Sequence, residues 1–176
     1  TMRIGIHGKE VQGHAARFNE KIFEDLQRKK ADIHVSAKFL KHLKSSKLKS
    51  LKLPSFEPGD SLKNFDFFLS LGGDGTLLDT VTLVRNKNIS IMGINFGRLG
   101  FLASIGREEV KTAVKAIAQR TCVIDRRTMI HLDADMPLFG EVPYGLNEFS
   151  LHKRDVASMI KIHTYLNGEF LNTYWA

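Results

Sequence analysis

The chain has 176 residues, of which 43% are hydrophobic and 26% charged, so its size and composition suit one globular domain, or one domain and part of another. No apolar run approaches the roughly 20 residues that cross a bilayer, and the single cysteine, Cys122, excludes an intrachain disulfide framework and fits a reducing cytoplasm. The formal net charge of +7 favours anionic partners, whether nucleotides, nucleic acid or an anionic membrane, without choosing among them.

The first third of the chain alternates between strand and helix patterns. Residues 3–8 are apolar and β-prone and end in glycine, which predicts a first strand. Residues 14–30 repeat apolar side chains at helical spacing, and residues 31–35 predict a second strand. Residues 53–60 are rich in proline and glycine and predict a loop.

A basic stretch without acidic residues lies between the second strand and this loop. Its lysines alternate with leucines and are Lys38, Lys41, Lys44, Lys47, Lys49 and Lys52. A solvated amphipathic helix followed by a loop accounts for this pattern, and a patch that binds polyanions is the alternative.

The next segment continues the alternation and indicates a parallel sheet. Residues 65–71 form a continuous apolar run, as expected for a central parallel strand, and residues 76–85 return to helical spacing. Residues 89–95 predict another buried strand, and residues 107–119 predict an amphipathic helix. Strands that alternate with helices in this way predict an α/β fold with a Rossmann-like parallel sheet.

The pattern changes near residue 121, where strand signals replace the alternation. The stretches with this character are 122–134, 140–153 and 158–175. Asn167-Gly168 is a strong hairpin signal because both residues tolerate positive φ angles. We therefore predict an α/β domain over residues 1–120 and the beginning of a β-rich domain over residues 121–176.

The sequence GGDGT (72–76) separates a predicted buried strand from a predicted helix. Ligands of open α/β sheets bind at such carboxyl ends of strands, where glycine N–H groups and a helix N-terminus hold phosphate. A carboxylate among phosphates is repelled unless it binds a metal ion or accepts a proton from a nucleophile, and both are roles in phosphoryl transfer. The pattern matches neither the Walker A nor the GxGxxG motif. The alternative is a tight turn in which Asp74 caps the helix.

A second loop, GINFGRLGFL (93–102), follows the next predicted strand and contains FGRLGF with the glycines Gly97 and Gly100. Because adjacent parallel strands end at one edge of a sheet, we expect this loop to lie beside GGDGT. Phe96 is placed to stack on a base, Arg98 to pair with phosphate, and the two glycines to permit sharp turns. The alternative is that Phe96 and Phe101 only close the core.

Asn147 and Glu148 form a third candidate pair, at the end of a predicted strand. Asn offers a donor and an acceptor together, which suits a base edge or a ribose. Glu can accept hydrogen bonds from a vicinal diol, as acidic residues do in dinucleotide sites. A polar strand end without a ligand would also explain the pair.

These three motifs, in this order and at these distances, resemble the NAD kinase family over nearly the whole chain from residue 3. Diacylglycerol kinases, sphingosine kinases and phosphofructokinases share the GGDGT element but not both later motifs. The resemblance implies that ATP donates its γ-phosphoryl group to the 2′-hydroxyl of the adenosine ribose of NAD, which gives NADP. It also implies a divalent cation, usually magnesium, and a cytoplasmic homo-oligomer.

The resemblance also assigns roles to residues. It makes Asp74 the proton acceptor, with contact to the metal ion as an open second role. The nucleotide-binding residues that it implies are Gly73, Asp74, Gly75, Phe96, Asn147 and Glu148. Family members continue past the position of Ala176 with an Asp-Gly segment and a TPTGS-like motif. We therefore expect this chain to be the N-terminal portion of a bacterial-type member and inactive by itself. Asp79 stands where several relatives carry a basic residue, so no phosphate contact is carried over to it.

Two other functions compete with this expectation. One is a lipid or sugar kinase of the GGDGT superfamily, although the second half of the chain lacks the apolar excess that a lipid groove needs. The other is a non-enzymatic module that binds nucleic acid through the lysine stretch, with an affinity that falls steeply with salt. We expect nucleotides as ligands, and neither nucleic acid nor a membrane as a partner.

Overall fold

The computed structural model describes residues 1–9, 13–43, 47–97, 100–140, 142–154 and 158–175. Within these residues a five-stranded parallel sheet has the strand order β3-β2-β1-β4-β5. Its strands are β1 (Arg3–Gly8), β2 (Asp32–Ser36), β3 (Ser55–Phe56), β4 (Phe67–Leu71) and β5 (Ser90–Ile94). This order is that of a Rossmann-like sheet, so the predicted α/β fold is confirmed.

In the described part of the chain, three helices cover one face of the sheet and a fourth covers the other. The helices are α1 (His14–Arg28), α2 (Ala37–Leu43), α3 (Asp74–Val84) and α4 (Val110–Gln119). Buried side chains of α1, α2 and α4 share one apolar cluster with Ile4 and Ile6 of β1. Val84 of α3 belongs to a second cluster with Phe68 of β4, because successive strand residues point to opposite faces. No helix among the described residues is long and apolar enough to cross a membrane.

Several elements begin or end a few residues from the predicted positions, and two differences matter here: the start of α3 and a strand within the predicted loop. Helix α3 begins at Asp74 rather than at residue 76, which places this carboxylate in the first turn. The expectation of a continuous loop over residues 53–60 is wrong, because β3 lies within it. Val35 N–H donates to Pro54 O at 3.0 Å and draws the segment to the edge of the sheet. Composition does not reveal this strand, since proline is compatible with an edge position.

The described part of the basic stretch contains the amphipathic helix that was predicted. Helix α2 buries Phe39 and Leu43, while Lys38 and Lys41 are exposed to solvent. Lys44 lies outside the described residues. The alternating pattern therefore separates a core-facing side from a solvated side, at least over residues 37–43.

Antiparallel strands follow α4, as predicted. They are β6 (Met129–His131), β7 (Tyr144–Leu146), β8 (Lys161–Leu166) and β9 (Glu169–Trp175), and they pair as β6 with β7 and β8 with β9. Asn167 and Gly168 join the last two strands with φ angles of 52° and 88°, so the predicted hairpin turn is confirmed.

This antiparallel part forms no buried core among the described residues. No described residue after Ile117 is buried. Large apolar side chains are exposed there instead, among them Phe170, Tyr174 and Trp175. The described core is therefore contributed by the sheet and its helices.

Candidate active site

The GGDGT and FGRLGF loops leave the sheet from neighbouring strands and meet at one edge, as expected. Leu71, the last residue of β4, lies opposite Ile94, the last residue of β5. Gly72 N–H donates to Ile94 O at 2.9 Å and extends the pairing into the first loop. The carboxyl end of the sheet therefore carries both loops side by side.

The first loop requires glycine at one position because of its conformation. Gly72 has a φ angle of +151°, and a Cβ there would lie 2.3 Å from Thr76 Oγ1. Gly73 and Gly75 have no left-handed φ angle. A Cβ on Gly73 would meet no atom within 4 Å. The first turn of α3 therefore borders open space at Gly73. The leading N–H groups of a helix have no acceptors within the helix.

The carboxylate of Asp74 binds the backbone of residues 101–103, at the end of the second loop. Its Oδ1 accepts from Leu102 N–H at 3.1 Å and from Ala103 N–H at 2.9 Å. Its Oδ2 accepts from Phe101 N–H at 2.8 Å. These hydrogen bonds stabilise the ionised form and therefore hold the pKa of Asp74 below its usual range. The bond from Ala103 N–H has the largest effect. The helix-cap alternative is wrong, since the N-cap is Gly73 and no side chain caps α3.

Gly100 permits this contact because it has no side chain. A Cβ on Gly100 would lie 2.2 Å from Asp74 Oδ1, whereas a Cβ on Gly97 would meet its nearest atom at 3.6 Å. Neither glycine has a left-handed φ angle. The buried Asn95 shapes the loop, because its Oδ1 accepts from Gly97 N–H at 2.9 Å.

The two phenylalanines of the second loop have different surroundings. Phe96 is 7% exposed and stacks on Phe18 of α1 with 6.1 Å between ring centroids. Phe101 is 95% exposed and lies next to the carboxylate that its N–H binds. The alternative that Phe101 closes the core is therefore wrong, while Phe96 does contribute to the core. The sequence does not show which of the two is buried, because both are phenylalanines in the same loop.

Arg107 supports the start of the second loop and was not singled out in the sequence. Its guanidinium donates two hydrogen bonds to Phe96 O. The same group lies 5.7 Å from the centroid of the Phe18 ring. Arg107 is the first residue of the helix predicted over residues 107–119, and no local pattern indicates this contact.

The third predicted pair does not join these contacts. Asn147 and Glu148 follow β7, and both side chains are exposed. Asn147 has a φ angle of 80°, which Asn tolerates better than most residues. Among the described residues, no hydrogen bond or ion pair connects either of them to the loops around Asp74. Arg98 lies outside the described residues.

The carboxylate of Asp74 retains one acceptor position. A carboxylate has about four lone-pair sites, and Oδ2 accepts one N–H while Oδ1 accepts two. The described residues contain no group of three or more His, Cys, Asp or Glu side chains that could hold a metal ion. Mg²⁺ commonly takes one or two carboxylates together with substrate phosphates. A Mg²⁺ ion at this edge of the sheet would therefore take most of its ligands from substrate phosphates and water.

Comparison with known proteins identifies the family. The sequence profile described as ATP-NAD kinase N-terminal domain matches residues 4–122. The chain is 38% identical to the NAD kinase of Cytophaga hutchinsonii over 179 residues, which cover 99% of this chain. It belongs to the NAD kinase family. The resemblance that the three motifs indicate is thereby confirmed.

Other relatives and a solved structure agree with this assignment. The NAD kinases of Flavobacterium psychrophilum and Bacteroides fragilis are each 35% identical to this chain. Each match includes 99% of this chain and 60% of the relative. The Cytophaga protein is also covered over 60% of its length, so the chain spans about three fifths of these relatives.

The crystal structure of yeast NADH kinase complexed with NADH has the same fold, with a TM-score of 0.75 and 20% identity. The match covers 98% of this chain and 54% of that one. None of these comparisons favours the lipid or sugar kinase, or the nucleic-acid-binding module, that the sequence leaves open.

Proposed function

We propose that the chain belongs to an enzyme that phosphorylates NAD. The γ-phosphoryl group of ATP passes to the 2′-hydroxyl of the adenosine ribose of NAD, and the product is NADP. The observation that carries this proposal is the carboxylate of Asp74, which three backbone N–H groups fix where the two family loops meet. Membership of the NAD kinase family supports the choice of substrates.

Asp74 acts on the proton of the attacking hydroxyl. A ribose hydroxyl is a poor nucleophile at neutral pH, and its proton must leave during the transfer. Because the pKa of Asp74 lies below its usual range, the carboxylate is ionised and too weakly basic to remove the proton beforehand. It therefore orients the hydroxyl and accepts the proton late in the transfer, as aspartate does in other kinases. The remaining acceptor position on Oδ2 receives this hydrogen bond.

Gly73 and Gly75 lie along the phosphates in this proposal. The N–H groups and the dipole of a helix N-terminus attract anions, and open space next to Gly73 leaves room for one. Asp74 stands between the two glycines but its carboxylate is held by the second loop. The same turn can therefore bind phosphate through its backbone while its side chain serves the hydroxyl.

The base and the ribose are assigned to the other loops. Asn147 and Glu148 hold the ribose of NAD and the groups next to it, and their side chains are exposed. Phe96 lines the adenine site from the loop that it anchors in the core. The side chain of Phe101, whose N–H binds Asp74, is exposed and offers an apolar surface to a ligand at this edge.

The wider setting is part of the same proposal. A divalent cation, usually magnesium, would neutralise charge on the transferring phosphates. The enzyme is a cytoplasmic homo-oligomer without nucleic-acid or membrane partners. We also assign residues 1–120 to an α/β domain and residues 121–176 to the beginning of a β-rich domain. The end of α4 at Gln119 and the lack of buried residues among those described after Ile117 support this division.

Substrate selection tests the proposed function. The assay uses an enzyme of the relatives' full length that contains this sequence, supplied with ATP, Mg²⁺ and either NAD, diacylglycerol or fructose phosphate. We expect chromatography to detect NADP, and no ATP consumption above background with the lipid or the sugar. Turnover with the lipid or the sugar and none with NAD would contradict the proposal.

A further inference from the structure

Lys9 lies over the first turn of α3, on the segment that follows β1. Its Nζ is 3.2 Å from Asp79 Oδ2 and 3.5 Å from the position that a Cβ on Gly75 would take. Gly75 and Asp79 are four residues apart in α3 and therefore share one face of the helix. The ammonium thus lies along the face of α3 that begins at the first turn.

The electric field of the α3 dipole does not favour a cation such as Lys9 near the start of the helix. The N-terminal end of a helix carries partial positive charge, so Lys9 needs an anion beside it. Asp79 supplies this anion, and both side chains are about half exposed. An exposed pair of this kind is weakly held and can exchange partners with an anion from solvent.

The buried His7 lies beneath the pair and directs one polar atom toward it. His7 is 2% exposed, and its Nδ1 is 2.7 Å from Ser36 Oγ. Its Nε2 is 4.0 Å from Asp79 Oδ2 and has no hydrogen-bond partner among the described residues. Ser70, opposite His7 in the sheet, also has a buried Oγ without a partner in the described part. Buried polar atoms are nearly always paired, so two unpaired atoms here point to a ligand or water.

Two cations and one carboxylate lie close enough to His7 to act on its pKa. Burial is the largest cause that lowers the pKa of His7, Asp79 raises it, and Lys38 and Lys9 lower it further. Lys38 comes from α2, Asp79 from α3 and Lys9 from the segment that follows β1, so three parts of the fold contribute to this field. Two cations against one carboxylate favour an incoming anion.

We propose that Lys9 contacts a phosphate group of the nucleotide bound at the first turn of α3, and that Asp79 positions the ammonium until the phosphate arrives. The inference rests on the proposed function, because the phosphate belongs to a substrate of that reaction. A phosphate carries more negative charge than a carboxylate, so it replaces Asp79 as the main partner of Lys9. Its source is either the donor triphosphate or the pyrophosphate of NAD.

Binding of sodium tripolyphosphate to the 176-residue chain tests the contact without a reaction substrate. Calorimetry compares the unmodified chain with Lys9→Gln, Lys9→Arg and the control Lys87→Gln, an exposed lysine beyond the far end of α3. We expect Lys9→Gln to weaken binding about tenfold, and Lys9→Arg to restore most of it. The control should stay within about twofold. The absence of millimolar binding, or equal losses at both positions, overturns the proposal.

A double substitution tests the role of Asp79 as a positioning residue. Asp79→Asn removes the carboxylate that competes with phosphate for the ammonium of Lys9. We therefore expect tripolyphosphate to bind about threefold more tightly when Lys9 is present. The gain should disappear in the Lys9→Gln background. An equal gain in both backgrounds means that Asp79 only repels phosphate, and it overturns the positioning role.

Steady-state kinetics of the full-length enzyme identify the source of the phosphate. A KM that Lys9→Gln raises more for ATP than for NAD assigns the donor triphosphate, and the reverse assigns the pyrophosphate. If neither KM changes, the contact with a substrate is refuted. If the unmodified enzyme makes no NADP, the proposed function fails, and tripolyphosphate binding alone then decides whether Lys9 holds a phosphate.

Discussion

Asp74 combines two tasks in one side chain. Its carboxylate connects the two loops through three N–H groups, and it also serves as the base in the proposed reaction. The sequence alone suggests Asn as a replacement that keeps the shape and removes the charge. The structure shows a second consequence, because an amide has only one oxygen to accept hydrogen bonds.

Asp74→Asn in the full-length enzyme should lower turnover by about 10²–10⁴-fold, the usual contribution of general-base catalysis. If the amide oxygen occupies the Oδ1 position, Leu102 and Ala103 keep their acceptor and the amide of Phe101 faces a donor. Hydrogen exchange should therefore accelerate at Phe101 alone. NADP formation and exchange are measured beside Asp133→Asn, a matched change at an exposed aspartate. Near-normal turnover would leave Asp74 with its structural role only.

His7 should make the stability of the chain depend on pH. Burial lowers its pKa in the folded protein below the ordinary value of 6.5, so the unfolded chain binds the proton more tightly. The contribution is fully present above pH 6.5 and is lost as the pH falls from that value through the folded pKa. His7→Gln should flatten this part of the curve.

Urea unfolding of the 176-residue chain between about pH 5 and pH 8 measures this dependence. His152→Gln, at an exposed histidine, is the control and should keep the slope of the unmodified chain. An unchanged slope in His7→Gln as well would show that other groups carry the pH dependence.

At the scale of elements, backbone groups rather than side chains of the second loop hold the two loops together. The contact between the loops therefore depends on how closely the backbone at Gly100 approaches the Asp74 carboxylate, more than on the flexibility of the loop. Gly100→Ala should destabilise the chain by about 1–3 kcal/mol, a typical cost of overpacking, because its Cβ cannot remain 2.2 Å from Asp74 Oδ1.

Gly97→Ala is the matched control in the same loop. Its Cβ meets the nearest atom at 3.6 Å and its φ angle is not left-handed, so the change should stay within about 0.5 kcal/mol. The free energies of unfolding come from urea titrations at one pH. Equal effects of the two substitutions would indicate that Asp74 does not depend on close approach at Gly100.

At the scale of the whole molecule, the two parts of the chain differ in packing. The sheet has buried clusters on both faces, whereas the described antiparallel strands keep large apolar side chains exposed. The predicted ribose residues Asn147 and Glu148 belong to that second part and make no described hydrogen bond to the loops around Asp74.

The 176-residue chain alone should therefore bind NAD weakly and form no NADP. Positioning can contribute roughly 7–11 kcal/mol to such a reaction, and ribose residues that are not held against Asp74 do not provide it. Calorimetry with NAD and chromatography of ATP–NAD mixtures test both statements, on material whose intact mass is confirmed. Measurable NADP formation by this chain would refute the prediction.

Local patterns were enough to predict most elements of the fold. The apolar runs before GGDGT and FGRLGF, the helical spacing between them and the Asn167-Gly168 turn are each contained in a few consecutive residues. Strand β3 was missed because pairing along the edge of the sheet depends on Val35 and Pro54, which are far apart in sequence. The family also followed from sequence, since three short motifs in order are specific.

The amino-acid sequence by itself thus determined the α/β alternation, the place of the two loops at one edge and the NAD kinase family. Only the tertiary structure decided that Asp74 binds the backbone of residues 101–103, that Phe101 rather than Phe96 is exposed, and that Lys9 lies over α3. The physical reason is the distance along the sequence over which each kind of interaction acts. Hydrophobic periodicity acts over neighbouring residues, whereas these contacts join groups 27 or more residues apart, whose approach depends on how the strands are ordered in the sheet.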